Sequence, residues 1–350
     1  TVNFMENPTH TINLSRMVVI GSDLWSSVKT TVERLGYENP VILDDPVTRK
    51  IIGKKVSDDL NCEHRHVATS TLEEVNSVAD FLKEGKYDVL ISIGGGSVID
   101  VGKLASFNVS IPFISYPTVA SHDGIASSRA SIRDGEKKLS IEAQPPIAII
   151  ADTKIVSQAP YRFLASGCAD LISNCTAVLD WQLAHKLKGE YYSEHAAALS
   201  SMSAKVVIDN ADAIKEGLEE SARKVLKGLI SSGVAMSIAS SSRPASGAEH
   251  AFAHALDMIA EKPAMHGEQC GVGAIMTMYL HREDEYRAIK EALEKLKAPT
   301  TAAELGVTDQ EIIKALTMAH KIRDRYTILG ESGLTEKAAT KLAKVTGVIE

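Results

Sequence analysis

The stretch YDVLISIGGGSVIDVGKLASF, residues 87–107, restricts the fold more than any other part of the chain. Val89–Ile93 is a short, largely apolar run, three glycines follow at 94–96, and a run at helical spacing follows them. A strand with no polar face has to be covered on both sides, the situation of a parallel sheet between two helical layers. Glycines at the carboxyl end of such a strand let backbone approach a ligand closely. The start of the next helix offers free N–H groups and the positive end of its dipole, which suits a phosphate. Ser97 is a candidate cap for that helix. The turn is neither G-x-G-x-x-G, because the third glycine is missing, nor a P-loop, because G-K-[ST] is missing.

The same alternation recurs through the first 150 residues. MVVIG (17–21), PVILDD (40–45), HRHVAT (64–69), IPFISYPT (111–118) and PPIAIIAD (145–152) read as strands. Helices are expected over 23–36, with Asp23 or Ser22 near the start and Gly36 past the end, over 46–56, and over 71–85 with Thr71 and Glu74 in capping-box spacing. Residues 126–144 read as a hairpin turning at Asp134-Gly135. From about residue 155 the chain becomes Ala-rich and helical in period, without a convincing strand. The expected architecture is a Rossmann-like α/β domain over 1–155, with a mostly parallel sheet, joined to an all-helical metal- and substrate-binding domain over 156–350. A cleft between them is the default site.

Composition narrows the function classes. Of 350 residues 44% are hydrophobic and 24% charged, and the net charge of −7 gives no electrostatic reason to expect nucleic acid or an anionic membrane. The first residues carry no basic segment ahead of an apolar one, so no secretory signal is expected there, and no apolar run approaches the roughly 20 residues that span a bilayer. Cys62, Cys168, Cys175 and Cys270 form no CxxC and read as buried free thiols of a cytoplasmic protein.

Two polar constellations carry chemistry. YPTVASHDGIASSRAS (116–131) crowds small hydroxyl residues, His122 and Asp123 after a strand, as a ligand wall would. Asp44, ending the second strand, is placed like the acidic residue that takes a ribose hydroxyl, with Asp45 competing for that role. In the helical half, SGCADLISN (166–174) puts Asp170 among apolar neighbours, where a carboxylate needs a cation or donors. AEHAFAHALD (248–257) sets His250 and His254 on one helix face, and His266 opens PAMHGEQCGVG (263–273). From spacing alone these histidines are metal ligands, an acid–base pair, or structural. An HExxH site is excluded because residue 251 is alanine.

Together, GGGSVID, YPTVASHDGIASSRASI, GCADLISN, AEHAFAHALD and HGEQCGVG resemble the iron-containing alcohol dehydrogenase and glycerol dehydrogenase superfamily. Within it the chain is most similar to the archaeal sn-glycerol-1-phosphate dehydrogenases. The resemblance implies NAD or NADP held by Gly95, Gly96, Ser97, Val98, Ile99, Asp100, Thr118, Val119, Ala120, Ser121 and Ser127. It implies one Zn²⁺ on Asp170, His250 and His266, substrate contacts from Asp123, Asp170 and His254, and catalytic roles for His254 and Asp123. The implied reaction is reversible NAD(P)H-dependent reduction of dihydroxyacetone phosphate to sn-glycerol 1-phosphate, for ether phospholipids, by a cytoplasmic homo-oligomer. Arg129, Arg133, Lys137, Lys138 and Arg243 are candidates for the substrate phosphate. The competing readings are a zinc glycerol or polyol dehydrogenase of unphosphorylated substrates, a dehydroquinate-synthase-like lyase, and a nucleotide-binding scaffold with a structural metal.

Overall fold

In the computed structural model, which describes residues 11–135 and 137–350, eight strands are followed by helices alone among the described residues. The strands are β1 (Met17–Gly21), β2 (Pro40–Asp44), β3 (Glu63–His66), β4 (Val89–Gly94), β5 (Phe113–Pro117), β6 (Arg129–Asp134), β7 (Lys137–Glu142) and β8 (Ala148–Asp152). Between them lie α1 (Ser27–Leu35), α2 (Pro46–Thr48), α3 (Lys54–Leu60), α4 (Leu72–Gly85) and α5 (Gly96–Asn108). The helical half begins with α6 (Thr153–Gln158), α7 (Tyr161–Lys188), α8 (Glu194–Asp209), α9 (Glu219–Ala239), α10 (Ala248–Ile259) and α11 (His266–His281). It ends with α12 (Tyr286–Lys295), α13 (Ala302–Leu305), α14 (Asp309–Met318) and α15 (Glu336–Val345).

Six strands form one parallel sheet in the order β1-β8-β5-β4-β2-β3. Burial explains it. All of β2, β4, β5 and β8 is buried, as runs without a polar face demand. One sheet face packs Ile42, Ile91, Ile93 and Ile114 against Val28, Val32 and Val56 of α1 and α3. The other packs Leu43, Leu90 and Phe113 against α4 and α5 and runs on into the helical half. β6 and β7 pair antiparallel with Asp134 opposite Lys137, the hairpin expected around Gly135.

β2 and β4 are neighbours from which the chain departs in opposite directions, to β3 and to β5. A sheet of this kind binds ligands in the crevice beyond the strand ends at that switch point. Gly94–Gly96 sits at the end of β4 and opens α5.

Two local expectations change. α5 is headed by Gly95 with no side-chain cap, and Ser97 lies within its first turn. The N–H groups at this helix end therefore have no side-chain acceptor of their own. The helical segment after β1 starts at Asp23 in the left-handed conformation, without a cap bond from that side chain. Asp152 supplies the acceptor instead, taking hydrogen bonds from the Asp23 and Leu24 N–H groups. Its carboxylate also receives the Lys154 and Ile155 N–H groups at the start of α6 and the Tyr116 hydroxyl. One buried carboxylate thus ties β1, β5, β8 and the first helix of the helical half together.

The polar loop after β5 is pressed between helices. A Cβ at Gly167 of α7 would lie 2.1 Å from the Ala120 carbonyl oxygen, and one at Gly233 of α9 would lie 2.7 Å from the Ala126 Cβ. On a free helix surface glycine-to-alanine gains roughly 0.5–1 kcal/mol. Gly167→Ala should reverse that sign and cost about 1–3 kcal/mol, as overpacking does. The thermal unfolding midpoint measures this, and an unchanged or raised midpoint would remove the close approach.

Candidate active site

α7, α10 and α11 bring Asp170, His250 and His266 together although they are far apart in sequence. Asp170 is 3% exposed, and His250 Nε2 lies 3.8 Å from its Oδ1. The His250 and His266 rings are 5.0 Å apart, centroid to centroid. One donor atom from each of Asp170, His250, His266 and Cys270 lies within 4.8 Å of the other three. Cys270 is one turn beyond His266 on α11, with its Sγ 3.6 Å from His266 Nε2.

Asp170 Oδ2 accepts the Asp123 N–H at 2.9 Å, while Oδ1 is buried without a hydrogen-bond partner. Burial, and then the neighbouring Asp123 carboxylate, push the Asp170 carboxyl up to about 7. A buried oxygen without a donor beside two imidazoles and a thiol is a donor set for a divalent ion. The residues fit Zn²⁺ or another borderline ion.

Glu249 sets which nitrogen of His250 is free. It is fully buried and accepts the Gly247 N–H and the Thr176 hydroxyl, with His250 Nδ1 at 3.0 Å. Burial opposes its ionisation, but the imidazole and the backbone donors prevail and hold its carboxyl below the usual range. A carboxylate only accepts, so Nδ1 carries the proton and the Nε2 lone pair faces Asp170. Nothing in the sequence pattern marks Glu249 for this role.

His254 is handled differently. Arg323 Nη2 lies 2.9 Å from its Nε2, and a guanidinium only donates, so Nε2 accepts. Nδ1 then bears the hydrogen and faces Asp257 Oδ2 at 3.9 Å. Burial lowers the imidazole to about 4, with Arg323 adding to the shift and Asp257 opposing it. The ring is neutral at pH 7.

A cavity of about 460 Å³ extends from these groups, lined by His250, His254 and His266, by Asp123, and by Arg129, Arg133, Lys138 and Arg323. A second cleft of about 630 Å³ shares Gly96, Ser97, Ser121 and Phe163 with it. That cleft runs along Gly95, Val98, Thr118 and Val119 to Asp45 and Ile51. A Cβ at Gly96 would meet His122 Nε2 at 2.5 Å, so the turn is kept bare where two walls converge. An uncapped helix start lining this cleft is a fitting seat for a pyrophosphate.

The loop between β5 and β6 is anchored from beneath. Lys103 of α5 is fully buried and donates to the Gly124 and Arg129 carbonyls, at 2.6 Å each, with Asp100 at 3.5 Å. Asp123 Oδ2 accepts from the Ser232 hydroxyl, which in turn accepts from Asn174. Asp123 is thereby fixed at both ends, its N–H on Asp170 and its carboxylate in the cavity wall.

Of the dinucleotide candidates, Gly95, Gly96, Ser97, Val98, Thr118, Val119 and Ser121 line the cleft, and Asp100 and Ser127 line the adjoining cavity. Ile99 and Ala120 face the core. Asp44 is fully buried, 2.6 Å from His66 Nδ1 and 3.5 Å from Arg49, whereas the carboxylate-bearing residue on the cleft is Asp45. Asp45 itself caps α2.

The cationic wall also differs from expectation. Arg243 is buried and paired with Glu190, so it is spent within the helical half. Lys138 lies 2.9 Å from Asp257, and Arg129 binds Ser140. The Lys137 side chain lies outside the described residues. Arg323, unmarked by any motif, lines the cavity with no carboxylate within 4 Å among the described residues. Burial lowers it to about 10, and burial with the Arg323 charge lowers the adjoining Arg325 to about 9.

A family model for iron-containing alcohol dehydrogenases matches residues 19–160. The chain is 55% identical to a glycerol-1-phosphate dehydrogenase [NAD(P)+] of Thermococcus sibiricus over 97% of this chain and 99% of the relative. A protein of the same description from Methanosarcina acetivorans is 53% identical over 100% of this chain and 99% of its own length. Among solved structures, a probable glycerol dehydrogenase of Sinorhizobium meliloti superposes with a TM-score of 0.80 at 18% identity, covering 98% of this chain and 100% of that one. A sulfoacetaldehyde reductase of Bifidobacterium kashiwanohense in complex with NAD+ does so with 0.77 at 16% identity, covering 98% and 100%. The fold is therefore that of the iron-containing alcohol dehydrogenases.

Glu249→Gln tests the arrangement around His250, because an amide cannot accept from all three donors. Divalent-ion affinity should fall by roughly 10- to 100-fold, as for other supporting partners of ligand histidines. Competition titration with a chromogenic chelator measures it, and an unchanged affinity would exclude Glu249 from this role.

Proposed function

The chain belongs to the glycerol-1-phosphate dehydrogenase family, and from that premise we propose that it reduces dihydroxyacetone phosphate reversibly with NAD(P)H to sn-glycerol 1-phosphate, for ether phospholipid synthesis. The observation that carries this reading is the meeting of three kinds of group on one cavity: the donor set of Asp170, His250 and His266, the Arg323 guanidinium with no carboxylate partner among the described residues, and the bare helix start at Gly96. A ketone that bears a phosphate needs all three. Residues 1–155 would carry the dinucleotide and residues 156–350 most of the metal and substrate contacts.

Asp170, His250 and His266 would hold Zn²⁺, which supplies Lewis-acid polarisation of a carbonyl when bound, as bound NAD(P)H supplies a hydride. The remaining work belongs to the chain. Gly95–Val98 and Thr118–Ser121 would seat the dinucleotide along its cleft, with Asp45 rather than Asp44 facing its far end. Asp123, held by Ser232, would accept a hydrogen bond from the substrate hydroxyl and orient the carbonyl. Once a substrate phosphate draws Arg323 off it, His254 Nε2 would take a proton from solvent and pass that proton to the reduced oxygen, while Nδ1 keeps its hydrogen towards Asp257. Arg323, with the Ser242 and Ser246 hydroxyls beside it, would take the phosphate.

No helix among the described residues is long and apolar enough to cross a membrane. We propose that the enzyme works in the cytoplasm as a homo-oligomer, in keeping with its unpaired apolar residues such as Met202 and Leu187.

The deciding experiment is oxidation of NADH and NADPH with dihydroxyacetone phosphate, before and after chelation and re-addition of zinc, with chiral analysis of the product. Zinc-restored formation of sn-glycerol 1-phosphate is expected. Equal turnover of unphosphorylated dihydroxyacetone would favour a polyol dehydrogenase instead, and absence of net NAD(P)H consumption would favour a lyase. Arg323→Ala should lower the kcat/KM ratio of the phosphorylated over the unphosphorylated ketone by about 10- to 100-fold, the worth of a hydrogen bond to a charged group. A parallel loss on both substrates would move the phosphate elsewhere.

A further inference from the structure

Arg323 does not stand alone at its end of the cavity. Two residues further along the segment after α14, Arg325 donates to the Ser246 carbonyl at 2.6 Å and to the Ser242 hydroxyl at 3.0 Å. Arg323 donates to the Ser246 hydroxyl at 3.2 Å and reaches that of Ser242 at 3.5 Å. Both serines line the cavity, flanking the short turn Arg243–Ala245. A hydroxyl that accepts from a guanidinium keeps its own hydrogen to give, and neither hydroxyl donates elsewhere among the described residues. The two arginines therefore leave two hydroxyl donors at the cavity wall.

Charge converges there too. Among the described residues neither guanidinium has a carboxylate within 4 Å. Glu190, the carboxylate that acts most strongly on Arg325, is already paired with Arg243, and Glu249 is held by His250, Gly247 and Thr176. Burial is the largest influence on both arginines, yet it lowers Arg323 only to about 10 and Arg325 only to about 9, so both are charged at pH 7. His254 beside them is neutral. A singly charged ligand would offset one of these charges and leave the other uncompensated.

We propose that Arg325 makes this corner selective for a dianionic head group, a phosphate monoester, over a monoanionic one of the same shape. The inference rests on the reading of Arg323 as the phosphate contact. Arg325 is not itself on the cavity lining; it is a positioning residue that acts through its charge and through the Ser242 hydroxyl. A phosphate monoester loses its second proton near pH 6 and is mostly dianionic at pH 7, whereas a sulfate monoester carries one charge.

The test is isothermal titration calorimetry of the full-length protein with sn-glycerol 1-phosphate and with the sulfate ester of the same alcohol. The wild-type protein should bind the phosphate about 10- to 100-fold more tightly, the worth of one charge-assisted contact. A preference below about threefold overturns the proposal without any variant. Arg325→Gln and Arg325→Met should each cut the preference at least about fivefold, chiefly by weakening the phosphate. Arg325→Lys, which keeps the charge, should restore most of it. An unchanged preference in the neutral variants, or a lysine variant as unselective as they are, overturns the role of Arg325. Arg323→Ala should weaken both esters, and indifference of both to it overturns the phosphate seat on which the proposal rests.

Discussion

A carboxylate buried in the helical half organises the site. Asp170 lies in the interior of α7, where ionising it without compensation would cost several kcal/mol. The protein gives it a single hydrogen bond, from the Asp123 backbone, and leaves its second oxygen facing imidazoles. That half-compensation sets the electrostatics of everything nearby. A cation between Asp170, His250 and His266 would relieve the charge that burial opposes, and no lysine or arginine side chain lies within ion-pair distance of that carboxylate among the described residues.

The single bond that Asp170 does receive couples the two halves of the molecule. Asp123 belongs to the loop after β5, on the sheet side, and Lys103 pins that loop to α5. α5 begins at the glycine turn, so the helix that would meet a dinucleotide phosphate at one end braces the Asp123 loop further along. Gly167 and Gly233 let α7 and α9 close on the other side of the same loop. The geometry between the glycine turn and the Asp170 cluster thus depends on a loop held by Lys103 and two bare helix surfaces.

Much of this was written locally and was legible. Apolar runs bounded by glycine and proline marked the strands, because burial on both faces leaves no choice of residue, and the glycine turn marked the ligand edge. Asp170, His250 and His266 stood out because a carboxylate amid leucine and isoleucine, and histidines on an apolar helix, are costly unless used. Other features had no local signature. Arg323 acts on His254 across 69 residues of chain, and Asp152 caps a segment 128 residues before it. Asp44 ends β2 as the ribose-binding position would, yet register with β3 pairs it with His66 and turns its carboxylate inward. Strand ends fix where a residue is, and partners on neighbouring strands fix where it points.

The contrast between His250 and His254 shows how partners override spacing. One turn apart on α10, they present rings 6.4 Å from each other to the same cavity, and periodicity treats them alike. Glu249 takes the Nδ1 hydrogen of His250, which leaves the Nε2 lone pair directed at Asp170. Arg323 occupies the Nε2 lone pair of His254, so that ring has no free nitrogen to offer a metal while the guanidinium stays. An acceptor on the far nitrogen, as Glu249 gives His250, leaves the other nitrogen free for a cation, whereas a donor on that nitrogen, as Arg323 gives His254, blocks it. Both effects come from residues that the i, i+4 pattern does not contain.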